Sequence, residues 1–305
     1  MTPAPREYRV LQIDAFTNRK FEGNAASVVV DARGLSDDEM QAIAREMNNS
    51  ETAFVLPAEG DDHDVNVRYF TPSVEVPFCG HATIAAHYAR AVTGGLGQHS
   101  ARQKSRAGLI EIDVRDVGGD YHVSMLQRPP EFEPPVSDAT AAEIMAAVGG
   151  SVADLRSDCP IQVVSTAHSK VLVGVRSRAT LLSLTPSSAA LTGLSREIGS
   201  NGFHFFALEA VEPGVLATCR MFAPAIGILE DPVTGNGNGP LGAFLVRHRL
   251  VDFPRDGELT FRAAQGHAVR RPGIADVTVY VERRVPVRTR VGGAAVLVFS
   301  TSITL

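Results

Sequence analysis

One pattern occurs twice in this chain and limits the folds open to it. RYFTPSVEVPFCGHATIAAHYA (68–89) and RMFAPAIGILEDPVTGNGNGPLGAFLV (220–246) each run Arg-x-Phe, then Thr or Ala, then Pro, followed by a short loop, a glycine-containing turn and a helix of small residues. The order upstream repeats as well. SVVVDARGLSDDEMQAIAREMNNSETAFVLPA and SKVLVGVRSRATLLSLTPSSAALTGLSREIGSNGFHFFALEA both read strand, helix, strand before the motif begins. A duplicated half changes the reading of the whole chain. It predicts an α+β protein of two similar β-rich domains related by a pseudo-twofold, with both glycine turns facing one cleft. The expected division is 1–127 and 128–305, the last strand being a candidate to return to the first domain. A helix N-terminus offers unpaired backbone N–H groups and a partial positive charge, so two of them at one cleft suit a small organic carboxylate.

The elements around the motif follow from periodicity. YRVLQIDAF (8–16) and SVVVD (27–31) read as strands on either side of a turn-rich NRKFEGNAA. LSDDEMQAIAREMN (35–48) has Ser36 placed to cap a helix, Glu39 three residues on, and apolar Met40, Ile43, Ala44 and Met47 at helical spacing. ETAFVLP and VNVRYFTP read as strands, HATIAAHYARAV as a helix, and GLIEIDVRD with DYHVSMLQR as a strand pair around Gly118 and Gly119.

Composition removes several function classes. With 305 residues, a net charge of −5, no Trp, and no run of Lys or Arg longer than two, the chain lacks the basic, aromatic-rich footprint of a nucleic-acid binder. The opening MTPAPREYRV has no stretch of leader length, and no apolar run approaches the ~20 residues of a spanning helix, so a cytoplasmic protein with no membrane partner is expected. Cys79, Cys159 and Cys219 are widely spaced with no CxxC, which suits a reducing compartment. Without HExxH or a close His/Cys cluster, no metal is expected. The Gly235, Gly237 and Gly239 turn does not match GxGxxG in a dinucleotide-binding unit, so no nucleotide cofactor is expected either.

Four residues stand out as chemistry. Glu51 in NNSETAFV lies between a polar turn and an apolar strand; partly shielded from water it could move a proton, or it could open the strand as an ordinary solvated residue. Counting back equally from Phe70 and Phe222 sets Phe203 opposite Glu51, so only the first half supplies an acid. Asp231 in LEDPVTGNGNGP is either a turn or capping residue or a second carboxylate able to orient or relay the proton. His81, after Gly80, either caps the helix or holds a polar group of the substrate. Cys79 could work as one of two thiols across a substrate carbon, but DPVTGNG has no partner cysteine, which favours a buried packing role. HSK (168–170) reads as a polar turn and EGDDHD (59–64) as a solvated loop.

IDAFTNRKFEGNAASVVV, NNSETAFV, VRYFTPSVEVPFCGHATIAA, VSTAHSKVLVGV, EDPVTGNGNGPLGAFL and VGGAAVLV together resemble, in order and over nearly the whole chain, the phenazine-biosynthesis PhzF-like family of the diaminopimelate-epimerase-like fold. The resemblance implies two domains, each a β-barrel-like sheet around a central helix, with the active site between them and a homodimeric assembly. It implies a cofactor-independent isomerase like the one acting on trans-2,3-dihydro-3-hydroxyanthranilate, in antibiotic-type secondary metabolism. Glu51 would be its acid/base, His81 and Asp231 its helpers, and Gly80, His81, Gly235 and Asn236 its substrate-carboxylate ligands. Asn236 departs from the serine of the phenazine enzyme. The alternatives are an amino-acid epimerase or racemase, and a non-catalytic small-carboxylate-binding protein.

Overall fold

The computed structural model describes residues 5–209 and 212–305; the start MTPA and Ala210, the last position of the upstream repeat, lie outside the described residues. The chain forms two compact units, one of residues 1–125 with 292–305 and the other of 126–291. The α+β architecture expected from the sequence is the one found.

In the first unit the order is β1 (Glu7–Ala15), β2 (Asn24–Val29), α1 (Asp37–Met47), β3 (Thr52–Pro57), β4 (Val65–Phe70), β5 (Glu75–Val76), α2 (Gly80–Thr93), β6 (His99–Ser105), β7 (Gly108–Val117) and β8 (Asp120–Leu126). The last strand of the chain, β17 (Val285–Thr304), enters this unit at Gly292. Pairing runs β1–β2, β2–β3, β3–β4, β4–β6, β6–β7 and β7–β8. β17 joins β8 back to β1 and closes the barrel. β2–β3 and β4–β6 are parallel, and each crossover carries a helix. The first, α1, stays outside. Ser36 and Glu39 form the expected capping box, and Met40, Ile43 and Ala44 pack on Val10, Val29, Phe54 and Phe70. The second, α2, is buried on nearly every side, from Gly80 through Ala89. Its small residues allow this: the interior of an eight-stranded barrel is only about wide enough for side chains, so an enclosed helix must have few of its own. Alanine provides that and is also the best helix former.

The second unit repeats the plan with β9 (Glu131–Pro135), α3 (Asp138–Ala147), β10 (Gln162–Ser165), β11 (Lys170–Gly174), α4 (Arg178–Ser183), α5 (Ser188–Ile198), β12 (Phe203–Ala207), β13 (Val215–Ala223), β14 (Ile228–Asp231), α6 (Gly235–Arg247), β15 (Gly257–Gln265) and β16 (Gly273–Glu282). β11–β12 and β13–β15 are again the parallel pairs. Helices α3, α4 and α5 cover the outside through Ile144, Leu181 and Leu191, while α6 is the enclosed helix. Here glycine does what alanine does in α2. A Cβ on Gly239 would fall 1.8 Å from Gln127 Oε1, one on Gly237 2.4 Å from His204 Nδ1, and one on Gly242 2.7 Å from Val279. These glycines therefore serve contact with the barrel wall. β16 turns into β17 through Arg283 and Arg284, both left-handed (φ 51° and 64°), as a two-residue hairpin with the sheet's twist requires.

The repeated arginine does the same work in both units. Arg68 binds Glu75 through two parallel hydrogen bonds of 2.8 and 2.6 Å, and Arg220 binds Glu230 through bonds of 2.9 and 2.7 Å. Each guanidinium also lies over the motif phenylalanine, Phe70 at 5.1 Å and Phe222 at 4.8 Å. The third arm ties the outer helix to the barrel: Arg68 Nη1 reaches Asp37 in the first turn of α1, and Arg220 Nη1 donates to the carbonyls of Leu181 and Leu184 at the end of α4.

Strand register corrects one sequence expectation. Phe70 pairs with Thr52 and Phe222 with Phe203, so Phe203 matches Thr52 and the counterpart of Glu51 is Gly202. Equal counting fails because the chain from Phe203 to Phe222 is one residue longer than the chain from Thr52 to Phe70. The conclusion that the acid belongs to one half alone is unchanged. No helix among the described residues is long and apolar enough to cross a membrane.

Removing one partner of a buried ion pair leaves an uncompensated charge, at about 3–5 kcal/mol. Arg220→Ala should lose stability on that scale in urea unfolding, because Glu230 is left buried. Arg68→Ala should lose less, because Glu75 keeps Arg106 at 2.6 Å.

Candidate active site

The sequence-predicted residues fall into one cluster in each unit. In the first, Glu51 stands immediately before β3, and Cys79, Gly80 and His81 form the N-cap and first two residues of α2. Glu51 Oε2 is buried and accepts no hydrogen bond among the described residues, while His81 Nε2 lies 3.5 Å from it. The imidazole is held at both nitrogens: Nδ1 is 3.4 Å from Cys79 Sγ and Nε2 is 3.3 Å from Ser50 Oγ. A carboxylate oxygen that is shielded from water and has no donor of its own can take a proton from a bound molecule. Behind the helix start, Thr83 Oγ1 donates to the Cys79 carbonyl at 2.7 Å, and Thr83 and Gln103 both contact the Tyr69 hydroxyl, at 2.6 and 2.8 Å. Burial pushes that phenol above its usual range, and it serves as structure.

In the second unit Asp231 ends β14, and Gly235 and Asn236 open α6. The Thr234 hydroxyl donates to Asp231 Oδ2. Gln265 fastens this corner, its amide nitrogen donating to the Asp231 carbonyl at 2.9 Å and its oxygen accepting from Asn238 Nδ2 at 3.1 Å. Gln127 fastens the helix start: it donates to Asn236 Oδ1 at 3.3 Å and to the Gly235 carbonyl at 3.4 Å, and accepts from Thr166 and Thr289 at 2.8 and 2.9 Å. The Asn236 side-chain oxygen is thereby engaged. His204 lies under this turn against Gly237; burial and the nearby Lys170 push it down to about 3, so it is neutral.

Several expectations change. His81 does not cap α2, since the N-cap is Cys79. Asp231 does not cap α6, since the N-cap is Thr234. Cys79 is buried, and its sulfur, a His81 nitrogen and a Glu51 carboxylate oxygen all lie within 4.8 Å of one another, donor types that a divalent ion could use. The search for His/Cys clusters overlooks them because Glu51 is far off in sequence. Cys219 lies within β13 and is buried. HSK is not a polar turn throughout: Lys170 begins β11 and is buried. In EGDDHD, His63 is buried and paired with Asp62 at 2.6 Å. Lys170 and His204 are the polar residues that sequence reasoning passes over.

A buried neutral histidine titrates with a definite sign. His204 binds no proton in the folded chain until about pH 3, whereas an unfolded histidine does so below about 6.5. Between these values the unfolded state holds more protons, so the contribution is lost as pH falls. His204→Asn should therefore narrow the gap in urea-unfolding stability between pH 7 and pH 5.

A family model described as phenazine biosynthesis-like protein matches residues 13–301. A relative from Clostridium acetobutylicum, named as an uncharacterized isomerase, is 46% identical over 98% of this chain and 99% of its own. A trans-2,3-dihydro-3-hydroxyanthranilate isomerase of Pseudomonas aeruginosa is 33% identical over 87% of this chain and 88% of its own. Among solved structures, the phenazine biosynthesis protein of the PhzF family from Bacillus anthracis superposes with a TM-score of 0.89 at 30% identity, covering 98% of this chain and 100% of its own.

Proposed function

The chain belongs to the phenazine biosynthesis-like family and is an isomerase, and from that premise we propose that it moves a proton and a double bond within a small unsaturated carboxylate without a cofactor. The observation that carries this reading is the buried, donor-free Oε2 of Glu51 beside His81. Glu51 takes a proton from an activated carbon, the electron pair shifts along the conjugated system, and the same carboxyl returns the proton at the vinylogous carbon. No proton is gained or lost overall. His81 keeps the carboxylate in place and steadies charge on the neighbouring polar group of the substrate. The leading amides of α2 and α6, at Gly80, His81, Gly235 and Asn236, are the ligands we assign to the substrate's anionic oxygens. Asp231 assists as an acceptor oriented by Thr234.

The relative from Pseudomonas aeruginosa suggests a cyclic dienyl carboxylate of the kind its name states, and with it a place in secondary metabolism. The Asn236 amide fills more space than a hydroxyl and narrows the substrate range. An epimerase with a thiol on each side of one carbon is less well supported, because the α6 residue matching Cys79 is Thr234, whose hydroxyl is engaged with Asp231.

General acid/base catalysis contributes about 10²- to 10⁴-fold. Incubation in D₂O with trans-2,3-dihydro-3-hydroxyanthranilate and related cyclic dienyl carboxylates, followed by NMR, should show deuterium entering the product. Glu51→Gln should lose turnover on that scale with its fold intact; near-normal turnover in that variant would sink the assignment. The family resemblance adds a homodimer to the proposal, and light scattering should give twice the 32.5 kDa chain mass.

A further inference from the structure

The register of the two parallel strand pairs shows a trade between the halves. Ser27 pairs with Thr52 and Val171 with Phe203, so the residues one step earlier, Ala26 with Glu51 and Lys170 with Gly202, occupy matching places. In the first unit the partner is small and the position before β3 carries an acid. In the second that position is glycine and the neighbouring strand carries a base. The exchange is also spatial: a Cβ on Gly202 would fall 3.0 Å from Lys170 Cδ and 3.2 Å from Cε, so the lysine stem fills the space that a side chain at 202 would need.

Lys170 is only 4% exposed, yet its ammonium has neutral partners alone, Asn201 Oδ1 at 2.9 Å and the Ser169 carbonyl at 3.1 Å. Among the described residues no carboxylate stands within 4 Å of it, and its remaining N–H has no acceptor. Three titratable groups bear on it: Asp231 on β14 favours the charge from a distance, while His204 on β12 and His168 just ahead of β11, each pushed down first by burial, are pushed down further by the lysine, and Arg128 adds to this at His168. Burial outweighs the distant Asp231 and brings the amine down to about 8. A buried charge in a native protein is ordinarily paired.

We propose that Lys170 is the cation that receives the carboxylate of the ligand, the counter-charge its own fold withholds. This rests on the reading above that the ligand is a small carboxylate. It gives the second unit a site residue beyond Asp231, Gly235 and Asn236, and explains why a lysine is kept where its charge is costly without a ligand.

The test uses benzoate as probe and benzamide as its uncharged control, with binding followed by NMR or calorimetry on the full chain. Losing a charge-assisted hydrogen bond should weaken benzoate binding by about 10- to 100-fold in Lys170→Met, while benzamide binding stays the same. Wild-type benzoate affinity should fall as pH rises through about 8, and that fall should be absent from the variant. Lys170→Met should also melt at a higher temperature, because it removes an unpaired buried charge; a merely structural lysine would lower it. Gly202→Ala keeps the charge but crowds its stem, and should give an intermediate loss of benzoate affinity. The proposal is overturned if Lys170→Met binds benzoate within about twofold of wild type, if it fails to fold, or if the wild type does not bind benzoate at all. Glu51→Gln separates the two readings, since it should bind benzoate normally while halting proton exchange. A Lys170 failure with that result intact removes only the lysine assignment, and a Glu51 failure with the benzoate results intact removes only the isomerase reading.

Discussion

A helix fits inside an eight-stranded barrel only if the faces that press closest to the wall carry small side chains. Barrels that hold a helix comfortably have more strands, and at eight the interior is normally filled by the side chains of the sheet itself. In this protein that restriction selects Ala82, Ala85, Ala86 and Ala89 in α2, and Gly237, Gly239 and Gly242 in α6. It also decides where polar chemistry can lie. Polar side chains along a buried helix need partners of their own, as His87 finds in Gln103 and Asn238 in Gln265, whereas at the start the first backbone amides lack intrahelical partners. The residues there, Cys79 to His81 and Thr234 to Asn236, belong to the candidate cluster of each unit.

The same restriction explains what can be read without coordinates. Small-residue helices after an Arg-x-Phe-x-Pro strand are legible because the barrel tolerates little else, and the repeat exposes them twice. The capping box of α1 is legible because Ser36 and Glu39 interact only with their own turn. Both signals are local, as the motifs that carry the family resemblance are.

What could not be read depends on contacts between distant segments. The Glu51, Cys79 and His81 cluster joins a loop before β3 to the start of α2, and no spacing rule links them. Lys170 looks like part of a polar turn because its neighbours His168 and Ser169 are polar, yet the parallel pairing of β11 with β12 carries it inside. The glycines of α6 suggest close approach to a ligand, but the atoms they approach belong to Gln127, His204 and Val279. Glycine in sequence says that something comes close and leaves open what does.

The halves have kept their mechanics and changed their chemistry. Arg68 with Glu75 and Arg220 with Glu230 preserve one bidentate clamp, one stacked phenylalanine and one tie to an outer helix, because the barrel wall needs that clamp in either unit. Around the two helix starts the halves share only the glycines, Gly80 and Gly235, and differ at Glu51 against Gly202, Ala26 against Lys170, Cys79 against Thr234 and His81 against Asn236. Two identical halves would carry like charges at matching places, suited to treating the two faces of one carbon alike. On the reading proposed above, the duplicated fold keeps a proton-moving acid in one unit and a carboxylate-binding cation in the other.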